Sequence, residues 1–451
     1  MEEAVSDSCK LCAVHEFQAC LCPCVTGRYP NYVPGGYLFD NERVKSKDLS
    51  EDLKVGKRKR LIWLFAFLGL LPLLVFKYYN FINNSLTDGL AALGLKFSMP
   101  GLNWAVPVGI SFFTFQAVGY MLDVYHERIR AEKNFIDYML FVSFFPQIAS
   151  GPISKADELL PQIKKERTFN YNQAVSGLKY LLWGMFLKVV LADRVGIYVD
   201  TVFGAYEKFS GVGCAIASLF YSIQIYADFA GYSLMAVGVG KVLGFDLINN
   251  FRRPYFAASV TEFWKRWHIS LTRWLTQQVY IPLGGSRCSK ARNYWNIFVT
   301  FMVSGIWHGA NWTFIVWGCM HGVFQIIEKA FGWNKKESKG LVKALRVLAT
   351  FVVVTLAWVV FRSPSIGDAF GLMGRYAAQS GRLIADELTL FYIVLALVPF
   401  LMYEIGQEVT PKFYNKLKSV TVVRWAVYVL LVAMIVTVGV HDGSSFIYVN
   451  F

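Results

Sequence analysis

The sequence predicts an all-α polytopic membrane protein of roughly 8–11 transmembrane helices, with re-entrant and interfacial helices. Three observations carry the membrane class. Of 451 residues, 55% are hydrophobic and 17% charged, against about 25% charged in an average soluble chain. Aromatic residues reach 16%, an excess suited to lipid tails and their interfaces. The apolar residues also fall in runs near the length of about 20 that crosses a hydrocarbon core. A soluble enzyme, a disordered chain and a secreted disulfide scaffold are disfavoured on these grounds.

The first qualifying run is 61–79. Others follow at 104–122, 174–192, 212–230, 309–330, 344–361, 389–404 and 422–440. Shorter or Gly-rich stretches near 136–149, 231–245 and 294–306 read as broken, tilted or re-entrant segments, which survive at membrane depth only where protein or water satisfies their backbone. No fixed-period repeat is visible. The formal charge is +14, with many of the cations in short runs between apolar segments. Lys54, Lys57, Arg58, Lys59 and Arg60 end where the first run begins, the pattern of a cytoplasmic flank. This predicts a multi-pass protein of the plasma (inner) membrane with its N-terminus in the cytoplasm. Its basic residues serve topology rather than nucleic acid, which needs a basic face on a soluble module.

Residues 1–60 differ in kind from the membrane-embedded domain expected over 61–451. They hold no long apolar stretch, so neither a leader nor an anchor is expected there. Five of the eight cysteines lie in this segment: Cys9, Cys12, Cys20, Cys22 and Cys24, with His15 among them. The alternation Cys20-x-Cys22-x-Cys24 is tighter than usual zinc sites, and a cytosolic location disfavours disulfides. A reduced tail is therefore preferred to a metal site.

Three segments carry more polar chemistry than a lipid-facing helix needs. In 144–153, Pro146, Gly151 and Pro152 cannot continue a helix; the segment is either a surface turn between spans, the preferred reading, or a re-entrant turn walling a cavity. In 259–275, Ser259 and Glu262 form a capping-box pattern. Trp264, Trp267, Leu271, Trp274 and Leu275 then make one apolar stripe, with Lys265, Arg266 and Arg273 off it. That predicts one interfacial helix, its tryptophans at the headgroups and its cations toward water, with His268 on the buried face. In 304–312, His308 stands between Gly305 and Gly309, a spacing that admits a neighbouring backbone and leaves room for substrate beside the imidazole. Intramembrane ionisable groups are functional candidates by default. His308 therefore leads, followed by His268 and then His321, each with the alternative of a packing histidine. No nucleophile elbow, P-loop or His-Glu-x-x-His motif is present, so direct general-base chemistry by imidazole is the expected mode.

These segments resemble the membrane-bound O-acyltransferase family. The likeness is strongest to the bacterial branch that contains the membrane subunit of the alginate O-acetylation machinery. It rests on Phe-Phe-Pro-Gln…Ser-Gly-Pro-Ile (144–153), Tyr-Ala-Asp-Phe-Ala-Gly-Tyr-Ser (226–233), Asn-Phe-Arg-Arg-Pro-Tyr (250–255) and Phe-Trp-Lys-Arg-Trp-His-Ile-Ser-Leu (263–271). It continues through 280–285 and 304–312. The motifs arrive in the family's order and cover about residues 61–330. Departures are Leu234, where relatives often carry Asp, and Thr276-Gln277, where an Arg-Asp pair is common. Residues 1–60 stand where relatives carry further hydrophobic spans.

The resemblance implies that the helices form a ring around a central tunnel. It also implies transfer of an acyl group, usually acetyl, from a cytoplasmic thioester such as acetyl-CoA to the hydroxyls of an exported polysaccharide or to a periplasmic partner. It implies no bound cofactor and no metal, and a periplasmic hydrolase-like acetyltransferase (of the SGNH type) as partner. It maps the catalytic histidine to His308 and the second functional position to His268. Asn311, Trp312, Trp307 and Trp267 are the candidate pocket-lining residues. The rivals are D-alanyl transfer to teichoic acid and a non-enzymatic polysaccharide transporter or scaffold. A transporter would often show an internal duplication, and none is visible.

Overall fold

The computed structural model describes residues 51–104, 107, 109–148, 151–335 and 338–441. The cysteine-bearing segment before residue 51, with its reduced-tail and zinc readings, lies outside the described residues. The chain forms two compact units, divided after Thr168. Each is helical, and among the described residues the only β-pairing is an isolated bridge between Phe209 and Arg382.

In the first unit, α1 (Glu51–Leu73) runs through a π-turn (Leu74–Tyr78) into α2 (Tyr79–Ala92). Pro72 lies just before that turn, and proline's missing N–H is a standard cause of such a break. Next comes α3 (Ile110–Tyr125), which starts later than the apolar run because Gly109 takes a left-handed φ of 77° against the Ile148 carbonyl. Asn134 caps α4 (Phe135–Val142) by accepting from the Ile136 N–H. The turn α5 (Phe145–Ile148) and α6 (Ala156–Lys164) complete the unit.

The segment around 144–153 is not a surface turn. Gln147, Gly151, Pro152 and Ile153 are buried. The Gln147 amide donates to Gln116 (3.0 Å), the Gln116 amide donates to the Phe141 carbonyl (2.6 Å), and Ser154 donates to Gln147 (2.7 Å). Gln147 thereby ties the segment on one side to α3 through Gln116 and on the other to Ser154, beyond the second proline.

The second unit opens with α7 (Tyr171–Met185), a π-segment (Phe186–Ala192) and α8 (Asp193–Phe203), which form one continuous rod. Antiparallel to it lies α9 (Gly211–Val242), 32 residues long. The stretches 212–230 and 231–245 are thus one helix, not a span followed by a broken segment. Its glycines do not break it; they seat it. A Cβ on Gly231 would stand 2.8 Å from the Gly184 carbonyl and one on Gly184 2.7 Å from the Gly231 carbonyl. Gly177 and Gly238 repeat the arrangement one heptad away, at 2.5 and 2.8 Å. Backbone approach of this kind replaces hydrophobic burial as the packing device where the solvent is itself apolar. Beside it, Lys188 in the π-segment is buried and bonded to Asp193 (2.6 Å) and Asp228 (2.7 Å).

Two short helices, α10 (Val260–Arg266) and α11 (Ile269–Leu275), then precede α12 (Lys290–His308) and α13 (Trp312–Ala330). The chain continues through α14 (Gly340–Arg362), α15 (Ile366–Gly374), α16 (Glu387–Glu408), α17 (Pro411–Ser419) and α18 (Thr421–Thr437). Side-chain caps by Asn170, Ser210, Ser289, Asn311, Ser365 and Asp386 start α7, α9, α12, α13, α15 and α16.

Among the described residues five helices are long and apolar enough to cross a membrane, and the 92° pair α17–α18 makes a sixth. This is fewer than the eight to eleven expected. The run 104–122 yields only the 16 residues of α3. The 294–306 stretch belongs to the unbroken 19-residue helix α12, and α13 begins at Trp312 rather than 309. Both carry buried polar residues, Asn293, Asn296 and Ser304 on one and His321 and Glu328 on the other, which lowers their apolarity without removing them from the core.

The reciprocal glycine contacts give a direct expectation. Gly238→Val should destabilise the protein by about 1–3 kcal/mol through overpacking, lowering its thermal midpoint in detergent. Gly374→Ala, whose new Cβ meets nothing within 4 Å, should leave that midpoint in place.

Candidate functional site

The 259–275 segment begins with half of the capping box: Ser259 accepts from the Glu262 N–H (3.0 Å), while Glu262 reaches past the cap residue to the Ala258 N–H (2.9 Å). Glu328 of α13 accepts from the Thr261 backbone N–H (2.9 Å) and hydroxyl (2.8 Å), and from the Val260 N–H.

 That carboxylate gives the first turn of α10 acceptors for its free N–H groups. The single interfacial helix is not what forms. The chain breaks after Arg266: Trp267 is extended, and His268 takes a left-handed φ of 42°, ψ 55°. Such a conformation is uncommon for a non-glycine residue and marks a position held by its surroundings. Here Asn250 holds it, its carbonyl accepting from the Ile269 N–H (2.9 Å) and its side-chain oxygen from the Ser270 N–H (3.1 Å).

The break changes where the stripe points. Trp264 is 3% exposed and Trp267 0%, so two of the three tryptophans lie inside the protein rather than at the headgroups. Arg266 is not simply turned to water either, since it pairs with Glu262 (2.7 Å) and with Glu408 (3.0 Å), which also holds Arg253 (2.7 Å). The reason is tertiary: α13 and α14 supply aromatic walls for the stripe, and α16 supplies the carboxylate.

His308 is the last residue of α12, at a tight turn into α13. The glycines around it do not leave room for substrate. A Cβ on Gly305 would overlap the Phe314 carbonyl, and one on Gly309 the Phe314 ring. Gly318 closes the contact from the other side, 3.2 Å from a Cβ built on Gly305. The space that the glycines free is taken by the backbone of α13 and by one of its rings.

This approach gathers the three membrane histidines. His308 is 2% exposed, with ring centroids 4.9 Å from Trp307, 5.0 Å edge-on from Trp317 and 5.4 Å from Phe361. His268 is fully buried, edge-on to Phe229 at 4.6 Å and 6.0 Å from Trp307. His321, also fully buried, lies 4.9 Å from Trp317, and its Nδ1 accepts from the Trp264 indole N–H at 3.2 Å. An indole N–H only donates, so the neutral His321 carries its proton on Nε2. Trp307 thus bridges His268 to His308, and Trp317 bridges His308 to His321.

The other sequence candidates are distributed differently. Trp307 is inside this group. Trp267 packs on Trp358 (5.0 Å) and Phe251 (5.0 Å). Asn311 caps α13 through the Thr313 N–H (3.1 Å) and donates to the Pro364 carbonyl (2.9 Å), so its amide clasps the turn that presents His308. Trp312 is 54% exposed at the start of α13. Trp317 and Phe361 were not singled out in the sequence, although they wall His308. Their one local signal is Trp317 standing four residues before His321, on the same helical face. Among the described residues no group of three or more His, Cys, Asp or Glu side chains is placed to hold a metal ion.

The order of the motifs and this arrangement agree with a match to the family model for membrane-bound O-acyltransferases over residues 124–362. The chain belongs to the membrane-bound O-acyltransferase family. It is 39% identical over 302 residues to the probable alginate O-acetylase AlgI of Pseudomonas syringae pv. tomato, covering 66% of this chain and 57% of that protein. It is 33% identical over 399 residues to the probable alginate O-acetylase AlgI of Pseudomonas putida, covering 83% of this chain and 81% of that one. It is 36% identical over 351 residues to the peptidoglycan O-acetyltransferase of Helicobacter pylori, covering 72% of this chain and 66% of that one. The chain therefore spans little more than half of the first relative and most of the second. The matched family region contains all three buried histidines and ends at Arg362, beside the Phe361 wall.

The Trp264–His321 hydrogen bond is open to test. Trp264→Phe leaves a buried acceptor unsatisfied, which costs about 1–3 kcal/mol. The thermal midpoint in detergent should fall accordingly. A double-mutant cycle with His321→Phe should return a coupling energy of about 0.5–3 kcal/mol; strictly additive effects would show that the two rings do not interact.

Proposed function

We propose that this chain is an O-acyltransferase that carries an acyl group, acetyl first among them, from a thioester donor such as acetyl-CoA at the cytoplasmic face to hydroxyls of an exported polysaccharide or to a periplasmic hydrolase-like partner. The observation that carries the reading is the burial of His308 at the end of α12, inside an aromatic box with His268 across Trp307. The relatives' names support it from outside the structure, because both kinds of name describe acetyl transfer to a glycan.

In this reading the His308 imidazole takes the proton from the acceptor hydroxyl, whose oxygen attacks the thioester carbonyl. The tetrahedral adduct collapses, the C–S bond breaks, and the thiolate recovers the proton from the imidazolium. Thioester cleavage drives the transfer, so no nucleotide enters the balance. The aromatic walls exclude water, which would otherwise hydrolyse the thioester. His268, fixed in its left-handed conformation by Asn250, orients the donor or relays a proton.

Charge supports the sidedness. Arg362 at the end of α14 bonds to Asp200 at the end of α8; the opposite end of α14 carries Lys339, Lys343 and Arg346. The α16–α18 connection adds Lys412, Lys416 and Lys418, and an excess of Lys and Arg favours the cytoplasmic face. In this reading the chain acts in the plasma membrane.

His308→Ala should lower acyl transfer by about 10²–10⁴-fold, the usual contribution of a general base, while protein in the membrane fraction stays at the wild-type amount. Membranes incubated with labelled acetyl-CoA and candidate glycans would report it through label in the glycan. Undiminished labelling by the variant would remove His308 from the reaction. Label delivered from D-alanine instead of acetate would favour teichoic acid modification, and glycan export without ester formation would favour a transporter.

A further inference from the structure

A cavity of about 350 Å³ opens away from the histidines, between α7, α9, α16, α17 and α18. Lys179, Lys418 and Arg424 line it, together with Tyr180, Tyr414 and Tyr428. Its walls are apolar: Leu182, Leu234, Pro399, Val427 and Leu431 among them. No Asp or Glu lines it, and residues 409–437 contain none. The size falls in the usual range for small-molecule sites, about 300–1,000 Å³.

The helix beside it is built for a membrane surface. α17 meets α18 at 92°, and its sequence alternates Lys412, Lys416 and Lys418 with Phe413 and Leu417, both exposed. A short basic helix with exposed apolar side chains, turned at right angles to the apolar helix that follows, has the composition of one that lies in a headgroup plane. The cavity begins at that helix and follows α18 from Arg424 to Leu431, about 10 Å along the axis. Cations therefore stand at headgroup level, and apolar walls run toward the hydrocarbon.

We propose that this cavity holds one anionic phospholipid, its phosphate between Lys179, Lys418 and Arg424 and an acyl chain along Leu234, Val427 and Leu431. Charge selects the occupant: three cations and no carboxylate fit a headgroup with net negative charge, and basic pockets between spanning helices bind such headgroups. The apolar depth selects a lipid over free phosphate. The lipid ties α17 and α18 to α7 and α16, across a gap that protein side chains leave open.

The test uses the full-length protein in nanodiscs of phosphatidylcholine containing phosphatidylglycerol, with retained lipid measured by native mass spectrometry after release. The wild-type protein should retain phosphatidylglycerol in preference to phosphatidylcholine. The triple variant Lys179→Gln, Lys418→Gln, Arg424→Gln should lose that preference by about tenfold or more, since each cation near an anionic surface contributes about a factor of five. Val427→Trp, which fills the apolar wall and keeps every cation, should lose retained lipid of both kinds. Unchanged phosphatidylglycerol retention in either variant would overturn the site, as would equal retention of both lipids by the wild type. Displacement of the lipid by millimolar inorganic phosphate would overturn the choice of a lipid as occupant.

Discussion

The surroundings of the three buried histidines depend on how closely α12 and α13 approach. Gly305 and Gly318 allow their backbones to touch, and from that contact the rest follows. Trp317 comes against His308, and His321 comes within reach of the Trp264 indole. Phe361 on α14 then closes the remaining side of the imidazole. In a membrane no hydrophobic force presses helices together, so contact distance sets the interaction. A side chain on either glycine would push apart the two helices that carry the catalytic candidate and its walls. The same device, used twice between α7 and α9, seats the longest helix of the second unit.

A second constraint is the treatment of polar groups at depth. Several of the buried polar groups have partners from a distant part of the chain. Glu328 serves the start of α10, Asn250 bonds the backbone beyond His268, and Glu408 joins Arg253 to Arg266. Lys188 sits between two aspartates in a π-segment. Unsatisfied groups would be costly in this medium, so the polar residues act as staples for backbone that is not regular helix. That explains why the motifs richest in polar residues coincide with the breaks at 144–153, 266–269 and 308–312.

Much of the architecture was legible because it is local. The apolar runs mark helices, the cap residues mark their starts, and Ser259 caps α10 as expected. The errors share one cause. Periodicity placed Trp264 and Trp267 on a stripe but could not say whether lipid or protein faces it. Glycine content suggested weakness in 231–245 and empty space near His308, whereas Gly231 and Gly238 seat against α7, and Gly305 and Gly309 against α13. His268 looked like a helix-face residue because no pattern in its own neighbourhood reveals that Asn250 holds it in a left-handed turn.

By itself the sequence determined the solvent of this protein, the order of its helices and the identity of its candidate imidazoles, since composition, caps and motif order are properties of neighbouring residues. Tertiary structure alone decided that His308 shares Trp307 with His268 and Trp317 with His321, and that Trp312 stands outside that group. Trp307 lies 39 residues from His268, and Trp317 lies on a different helix from His308, so those distances depend on where whole helices touch rather than on which residue follows which.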